Sequence, residues 1–399
     1  MARPLPMVRT RPLDPPAELG RLRAEHPISR LAYPDGHVGW LVTGHAAARA
    51  ILAHPDFSAR AELQRRPVGY GSQEPAGPGI FINLDAPEHT RYRRLITGQF
   101  TVRRMRELEP RIEEITAGRL DAMERLGPPL DLVESFALPI PSLVICELLG
   151  VPYADRERFQ QDTAVIASLD ATAEQARAAT ADIAGYLREL VLRKRADPAG
   201  DLISDLARGG ELNDEELTGL AVMLLIAGHE TTASMLSLST LALLSDPSQP
   251  VRLRADPSLM AGAVEELLRY LSIIHLGPTR TAVQDIELYG VRIAAGETVT
   301  ISLPAANRDP DRFPDPDELL LTRPTGGHVA FGHGIHQCIG QQLARVELRV
   351  GLNALLRRFP ELRLAVAQED IGFRTDAITY GVRSLPVTWT PHVHLGEAV

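Results

Sequence analysis

The feature that most restricts how this chain can fold lies between Asn213 and Pro247. Asn213-Asp214-Glu215-Glu216 offers a side-chain cap and, three residues on, a glutamate able to close a capping box, which marks a helix start. The helical pattern then continues to Ser245-Asp246-Pro247, which makes a helix of roughly 30 residues, roughly 45 Å long. Its middle, Ala221-Val222-Met223-Leu224-Leu225-Ile226-Ala227, is apolar on every face. A helix of that kind persists in water only when other elements surround it. The 399 residues are enough to build such a surround.

Helical patterning dominates about 85–270 and returns at about 330–360. Asp85-Ala86-Pro87-Glu88 is expected to open a helix, with Asp85 as cap, Pro87 in the first turn and Glu88 closing a capping box. Ile286-Glu287-Leu288-Tyr289-Gly290-Val291-Arg292-Ile293 alternates and suggests a hairpin within a β region at about 280–302. A second β region is expected at about 381–390. The fold class is therefore mainly α with minor β, read as a single domain over 1–399. Arg65 to Gly79, with four glycines and three prolines, reads as a long irregular loop.

A net charge of −9 argues against a nucleic-acid partner. Met1 to Pro16 has no apolar signal-peptide stretch, and the apolar run Leu220 to Ala227 is too short to cross a bilayer. Two cysteines, Cys146 and Cys338, make no disulfide framework and suit a reducing cytosol. The expectation is a soluble cytoplasmic protein. Cys146 lies in an apolar run and reads as a space-filling core thiol.

Cys338 differs. Phe331-Gly332-His333-Gly334-Ile335-His336-Gln337-Cys338-Ile339-Gly340 runs straight into a helix. Its glycines permit close approach and positive φ. The helix start offers free amides to a thiolate. Such a sulfur is a nucleophile, a redox thiol, a metal ligand, or an incidental cysteine in a glycine-rich turn. In the long helix, Ala227-Gly228-His229-Glu230-Thr231-Thr232 puts a charge among apolar residues. That is costly unless used. Gly228 weakens the helix and Thr231 can compete for its backbone bonds. The structural alternative is a kinked helix whose Glu230 pairs with an arginine.

Phe-Gly-x-Gly-x-His-x-Cys-x-Gly resembles the heme-binding signature of the cytochromes P-450, in the form common in soluble bacterial, actinomycete-type members. Ile339 replaces the usual leucine. The resemblance implies a heme b whose iron is bound by Cys338, with Phe331, Gly332 and Gly340 framing the sulfur. Ala227-Gly228-His229-Glu230-Thr231 is similar to the family's oxygen-activating segment. That likeness makes Glu230 and Thr231 the catalytic acid–alcohol pair, sets Ala227 and Gly228 beside the heme, and has Gly228 leave room for dioxygen. His89 and Arg93, four apart on one helix, resemble the family's propionate clamp, joined by Arg280 and His336. Glu266 and Arg269 resemble its structural ion pair, with Arg323 as a third member.

The family's fold places substrate between the long helix and the heme. The implied walls are the Arg65–Ile82 loop with Phe81, Leu224, Ala227, Ile273, Ile274, Leu276, Ile378 and Thr379. They are mostly aliphatic, which suits a fairly large apolar small molecule, of macrolide or polyketide type, in secondary-metabolite or antibiotic biosynthesis. The expected activity is monooxygenation with O2 by a monomer. Electrons must come from outside, because the chain shows no flavin or iron–sulfur motif, and a ferredoxin with its ferredoxin reductase is the expected donor. Arg91, Arg94, Arg103 and Arg104 form a candidate docking patch. The alternatives are a peroxide-driven peroxygenase, a non-catalytic heme sensor and a heme-free cysteine enzyme. The Glu230–Thr231 pair argues against the first two.

Overall fold

The chain passes through a small sheet before it reaches its helical part. In the computed structural model, which describes residues 2–69, 73–324 and 326–391, α1 (Ala17–Glu25), β1 (Ile28–Ala32), β2 (Val38–Val42), α2 (His45–Ala53) and β3 (Phe57–Ser58) come first. Next come α3 (Glu88–Thr97), α4 (Val102–Leu126), β4 (Leu130–Asp131), α5 (Pro139–Leu149), α6 (Arg156–Ala167) and α7 (Ala173–Ala196). The helical part closes with α8 (Leu202–Gly209), α9 (Asp214–Leu244), α10 (Ser248–Ala255) and α11 (Met260–Leu271). The chain then re-enters β structure: β5 (Thr279–Ala282), β6 (Ile286–Leu288), β7 (Val291–Ile293) and β8 (Thr298–Ile301). After α12 (Leu303–Ala306) and α13 (Gln341–Arg358) it ends in β9 (Arg363–Leu364) and β10 (Pro386–Thr388). The fold is mainly α with minor β, as the pattern anticipates.

One sheet runs β1-β2-β8-β5-β3, with β2 and β8 parallel and the other pairs antiparallel. It unites the chain's start with the segment after α11. The anticipated hairpin is β6–β7, and Tyr289 and Gly290 at its tip take φ 52° and 74°, as a tight two-residue turn demands. A third sheet, β4-β10-β9, joins the C-terminus to the helical part. Ile274 packs against the core clusters of both the helical part and the first sheet.

The capping box forms as expected. Asn213 Oδ1 accepts the Glu216 N–H at 2.9 Å, and Glu216 accepts the Asn213 N–H at 3.0 Å. From there α9 runs 31 residues without interruption and packs against α5, α7 and α13. Its short apolar run understated it: by length and hydropathy α9 is able to cross a membrane, but 72% of its most apolar stretch is buried inside the protein. It is a core helix.

The box expected at Asp85 does not form. The helix starts at Glu88 and no side chain caps it. Asp85 instead accepts hydrogen bonds from the Ser58 hydroxyl and the Ala59 N–H, the latter at 2.7 Å. A long-range partner has taken the carboxylate from the local one, and it ties β3 to the head of α3. Residues 70–72 of the expected irregular loop lie outside the described residues. The loop's far end presses on α9, where a Cβ on Gly79 would lie 2.2 Å from the Glu216 carbonyl.

Candidate functional site

The cysteine loop shows why its glycines are there. Gly332 and Gly334 take φ 71° and 75°. A Cβ on Gly334 would sit 2.4 Å from the Leu52 carbonyl of α2. Gly340, at φ −80°, uses no such freedom. The Cys338 N–H donates to the Phe331 carbonyl at 2.9 Å, closing the loop three residues before α13. Cys338 is exposed although protein surrounds it, because it opens onto a cleft; Cys146 is buried, as a core thiol should be. The expected stabilisation of the thiolate is only partial. Burial pushes the Cys338 thiol up, while the Gly340 N–H, Arg93 and Arg345 pull it back.

Around this sulfur gather groups that lack partners. The His89 and His336 rings lie 4.2 Å apart, and the Phe81 ring is 5.6 Å from His89. Both ring nitrogens of His89 and Nδ1 of His336 are buried without a hydrogen-bond partner. Burial, then the charges of Arg280, His89 and Arg93, pushes His336 down to about 3. Burial and Arg93 lead in holding His89 at about 4. Burial lowers Arg280 to about 10, and among the described residues Arg280 donates only to the Thr279 carbonyl, at 2.7 Å. Among the described residues no carboxylate forms an ion pair with Arg93 or Arg280. Buried donors and cations left this way are expensive. They fit a flat group that brings two carboxylates and a metal able to take a sulfur ligand.

On α9, Ala227 is exposed and Thr231 half-buried amid buried neighbours, so this stripe of the helix opens to the cleft. The Thr231 hydroxyl donates to the Ala227 carbonyl at 2.9 Å without breaking the helix. Glu230 does meet an arginine: Arg374 Nη2 lies 3.2 Å from its carboxylate. Gly228 does not leave room for a ligand. A Cβ there would strike Ile145 Cδ1 at 2.8 Å, so the glycine lets α5 approach α9. His229 is fully buried, with Nε2 3.0 Å from the Thr163 hydroxyl and Nδ1 2.9 Å from the Leu225 carbonyl. Arg374 and Thr163 carried no local signal, since each meets its partner only through distant packing.

The expected walls divide. Ile274, Leu276 and Ile378 are half-buried, whereas Phe81, Leu224, Ile273 and Thr379 are buried. Phe81 stands beside His89, and Leu276 packs on the N-terminal cluster of Leu5, Leu19 and Leu31. The basic patch is largely neutralised. Arg91 pairs with Glu216 at 2.6 Å, Arg94 with Glu211 at 3.2 Å, and Arg103 and Arg104 with Glu107 at 3.7 and 3.2 Å. Arg323 takes the third place beside Glu266 and Arg269, its Nε 3.0 Å from Glu266.

The sequence model of the family described as Cytochrome P-450 matches residues 161–370. Cytochrome P-450 105C1 of a Streptomyces species is 51% identical over 383 residues, 96% of this chain and 97% of its own length. The chain belongs to the cytochrome P-450 family. It is accordingly a heme monooxygenase, an oxidoreductase whose family binds the iron through a cysteine thiolate. Among P-450 relatives, the pentalenic acid synthase of Streptomyces avermitilis is 45% identical over 96% of this chain and 96% of its own. The crystal structure of CYP105P1 in complex with filipin I superposes with a TM-score of 0.92. It is 44% identical, covering 98% of this P-450 and 100% of that chain.

Proposed function

We propose that Cys338 is the thiolate ligand of heme b and that this P-450, a single cytoplasmic domain, hydroxylates or epoxidises a fairly large apolar secondary metabolite. The observation that carries the reading is the exposed Cys338, ringed by Arg93 and Arg280, which form no ion pair among the described residues, and by the unpartnered His89 and His336 Nδ1. Those four side chains would hold the heme carboxylates. Phe331, Gly332 and Gly340 frame the sulfur, and Ala227 lines the opposite, open side. When bound, the heme supplies dioxygen activation and oxygen-atom insertion.

The protein's own residues position, exclude and protonate. The Thr231 hydroxyl spends its hydrogen on the Ala227 carbonyl, which leaves its oxygen lone pairs free to accept a bond from water in the cleft. Glu230, held in place by Arg374, is the carboxylate through which protons pass from water towards the site. Thr231 Oγ1, as an acceptor, positions the water that carries the proton onward, while its own hydrogen stays on the Ala227 carbonyl.

A macrolide or polyketide substrate is supported by the half-buried aliphatic Ile274, Leu276 and Ile378. The filipin I complex and the pentalenic acid synthase among the relatives support the broader secondary-metabolite class. A ferredoxin with its reductase supplies electrons. Docking at Arg91, Arg94, Arg103 and Arg104 exchanges their carboxylate partners for the ferredoxin's.

The decisive test is the optical spectrum of reduced protein under carbon monoxide. The wild type should give the thiolate-type band and Cys338→Ser should lose it; a band that survives the substitution overturns the assignment. Macrocycles incubated with the reductase-supported enzyme should gain one oxygen by mass, and no gain across the panel removes the substrate class.

A further inference from the structure

Glu265 of α11 is next to the buried Glu266 but serves a different part of the molecule. Its Oε1 accepts Arg345 Nε at 2.6 Å, and its Oε2 accepts Arg345 Nη2 at 3.1 Å and His328 Nε2 at 3.0 Å. His328 Nδ1 accepts the Ala330 N–H at 3.2 Å. A nitrogen that accepts carries no proton, so the imidazole hydrogen sits on Nε2 and is donated to Glu265. Arg345 completes the circuit by lying over the Phe331 ring, 4.6 Å from its centroid. The Phe331 carbonyl in turn accepts the Cys338 N–H at 2.9 Å. One carboxylate thus joins α11, the chain entering the cysteine loop and the first turns of α13.

We propose that Glu265, His328 and Arg345 form a positioning network behind Cys338, holding the loop through Phe331 and setting the charge that the sulfur feels. The inference rests on Cys338 being the iron ligand. His328 is 3% exposed at its side chain, Arg345 25% and Glu265 30%, so the network lies within the protein rather than on a solvated rim. Arg345 lies over the Phe331 ring, and the Phe331 carbonyl accepts the Cys338 N–H, so its positive charge favours an anionic sulfur in that loop. Glu265 offsets that cation. The two residues therefore act on the site with opposite sign, while both brace the loop.

Charge and bracing separate in the holoenzyme's reduction potential, read by anaerobic titration, and in its reduced carbonyl spectrum. Glu265→Gln leaves Arg345 uncompensated, which stabilises the added electron and moves the potential up. Arg345→Gln moves it down, and the double variant returns towards wild type. His328→Gln, which removes no fixed charge, leaves the potential in place but raises the fraction of carbonyl complex lacking the thiolate-type band. Arg345→Lys keeps the charge, loses the planar stack and behaves like His328→Gln. Unchanged potentials in both charge variants, or shifts of the same sign, overturn the network. If the wild type lacks the thiolate-type band, or Cys338→Ser retains it, the ligand assignment fails instead.

Discussion

Arg374 brings a guanidinium nitrogen to 3.2 Å from the Glu230 carboxylate, one residue from Thr231. Arg374 belongs to the C-terminal segment that carries Ile378 and Thr379, and its N–H donates to the Gly381 carbonyl at 2.8 Å. The helix that would deliver protons and the proposed substrate wall therefore share one ion pair. Glu230→Gln preserves the shape and removes the acid. Turnover should fall about 100-fold, the lower end for general acid catalysis, with the reduced carbonyl spectrum unchanged. Product formed per NADPH consumed is the measurement; unaltered coupling and rate would remove Glu230 from the proton path.

Gly228 and Ile145 make a second test, of packing. Alanine at 228 places a methyl group 2.8 Å from Ile145 Cδ1 and 2.9 Å from Cγ1. The overpacking should cost roughly 1–3 kcal/mol. Ile145→Val should restore part of the loss in the Gly228→Ala background. Urea denaturation of the four proteins in this cycle shows whether the two sites couple.

Glu266 holds two guanidinium groups in the interior. Arg269 reaches it at 2.7 and 2.8 Å and Arg323 at 3.0 Å, with Glu266 and Arg269 both 0% exposed. Glu266→Ala leaves Arg269 with the carbonyls of Asn307, Pro316 and Glu318 but no counter-charge. Breaking such a pair costs about 3–5 kcal/mol, which denaturant midpoints will show. A loss under about 1 kcal/mol would mean that the carbonyls alone suffice.

His275 supplies a pH dependence. Burial first, and then the charge of Arg9, pushes it down to about 4, against the Ala377 carbonyl 2.6 Å from Nε2, which raises it. The unfolded chain protonates near the ordinary value of about 6.5. It therefore binds the proton before the folded protein does. His275 leaves stability untouched above about 6.5 and erodes it as pH falls towards about 4, by at most about 1.4 kcal/mol per pH unit. His275→Gln should lose less stability than wild type between about pH 7 and about pH 5. Parallel curves would show that the imidazole titrates alike in both states.

Legibility followed the range of the interaction. The head of α9 was readable because Asn213 and Glu216 satisfy each other within one turn. The β6–β7 hairpin was readable because alternation and a Tyr-Gly tip suffice to define it. Gly332 and Gly334 needed only their own backbone angles. Asp85 was misread because its local role as a cap lost to Ser58 and Ala59, and Gly228 because its contact lies on another helix. The network of Glu265, His328 and Arg345 escaped notice because its members sit in three separate stretches.

By itself the sequence determined one long buried helix, a mainly helical fold with small sheets, and a glycine-hinged loop presenting Cys338. Each of these follows from the period, the caps or the φ of neighbouring residues. Only the tertiary structure decided which arginine faces Glu230, which helix Gly228 admits and which carboxylate braces the cysteine loop. Those pairings join residues far apart in the chain, and they exist only once whole helices have packed.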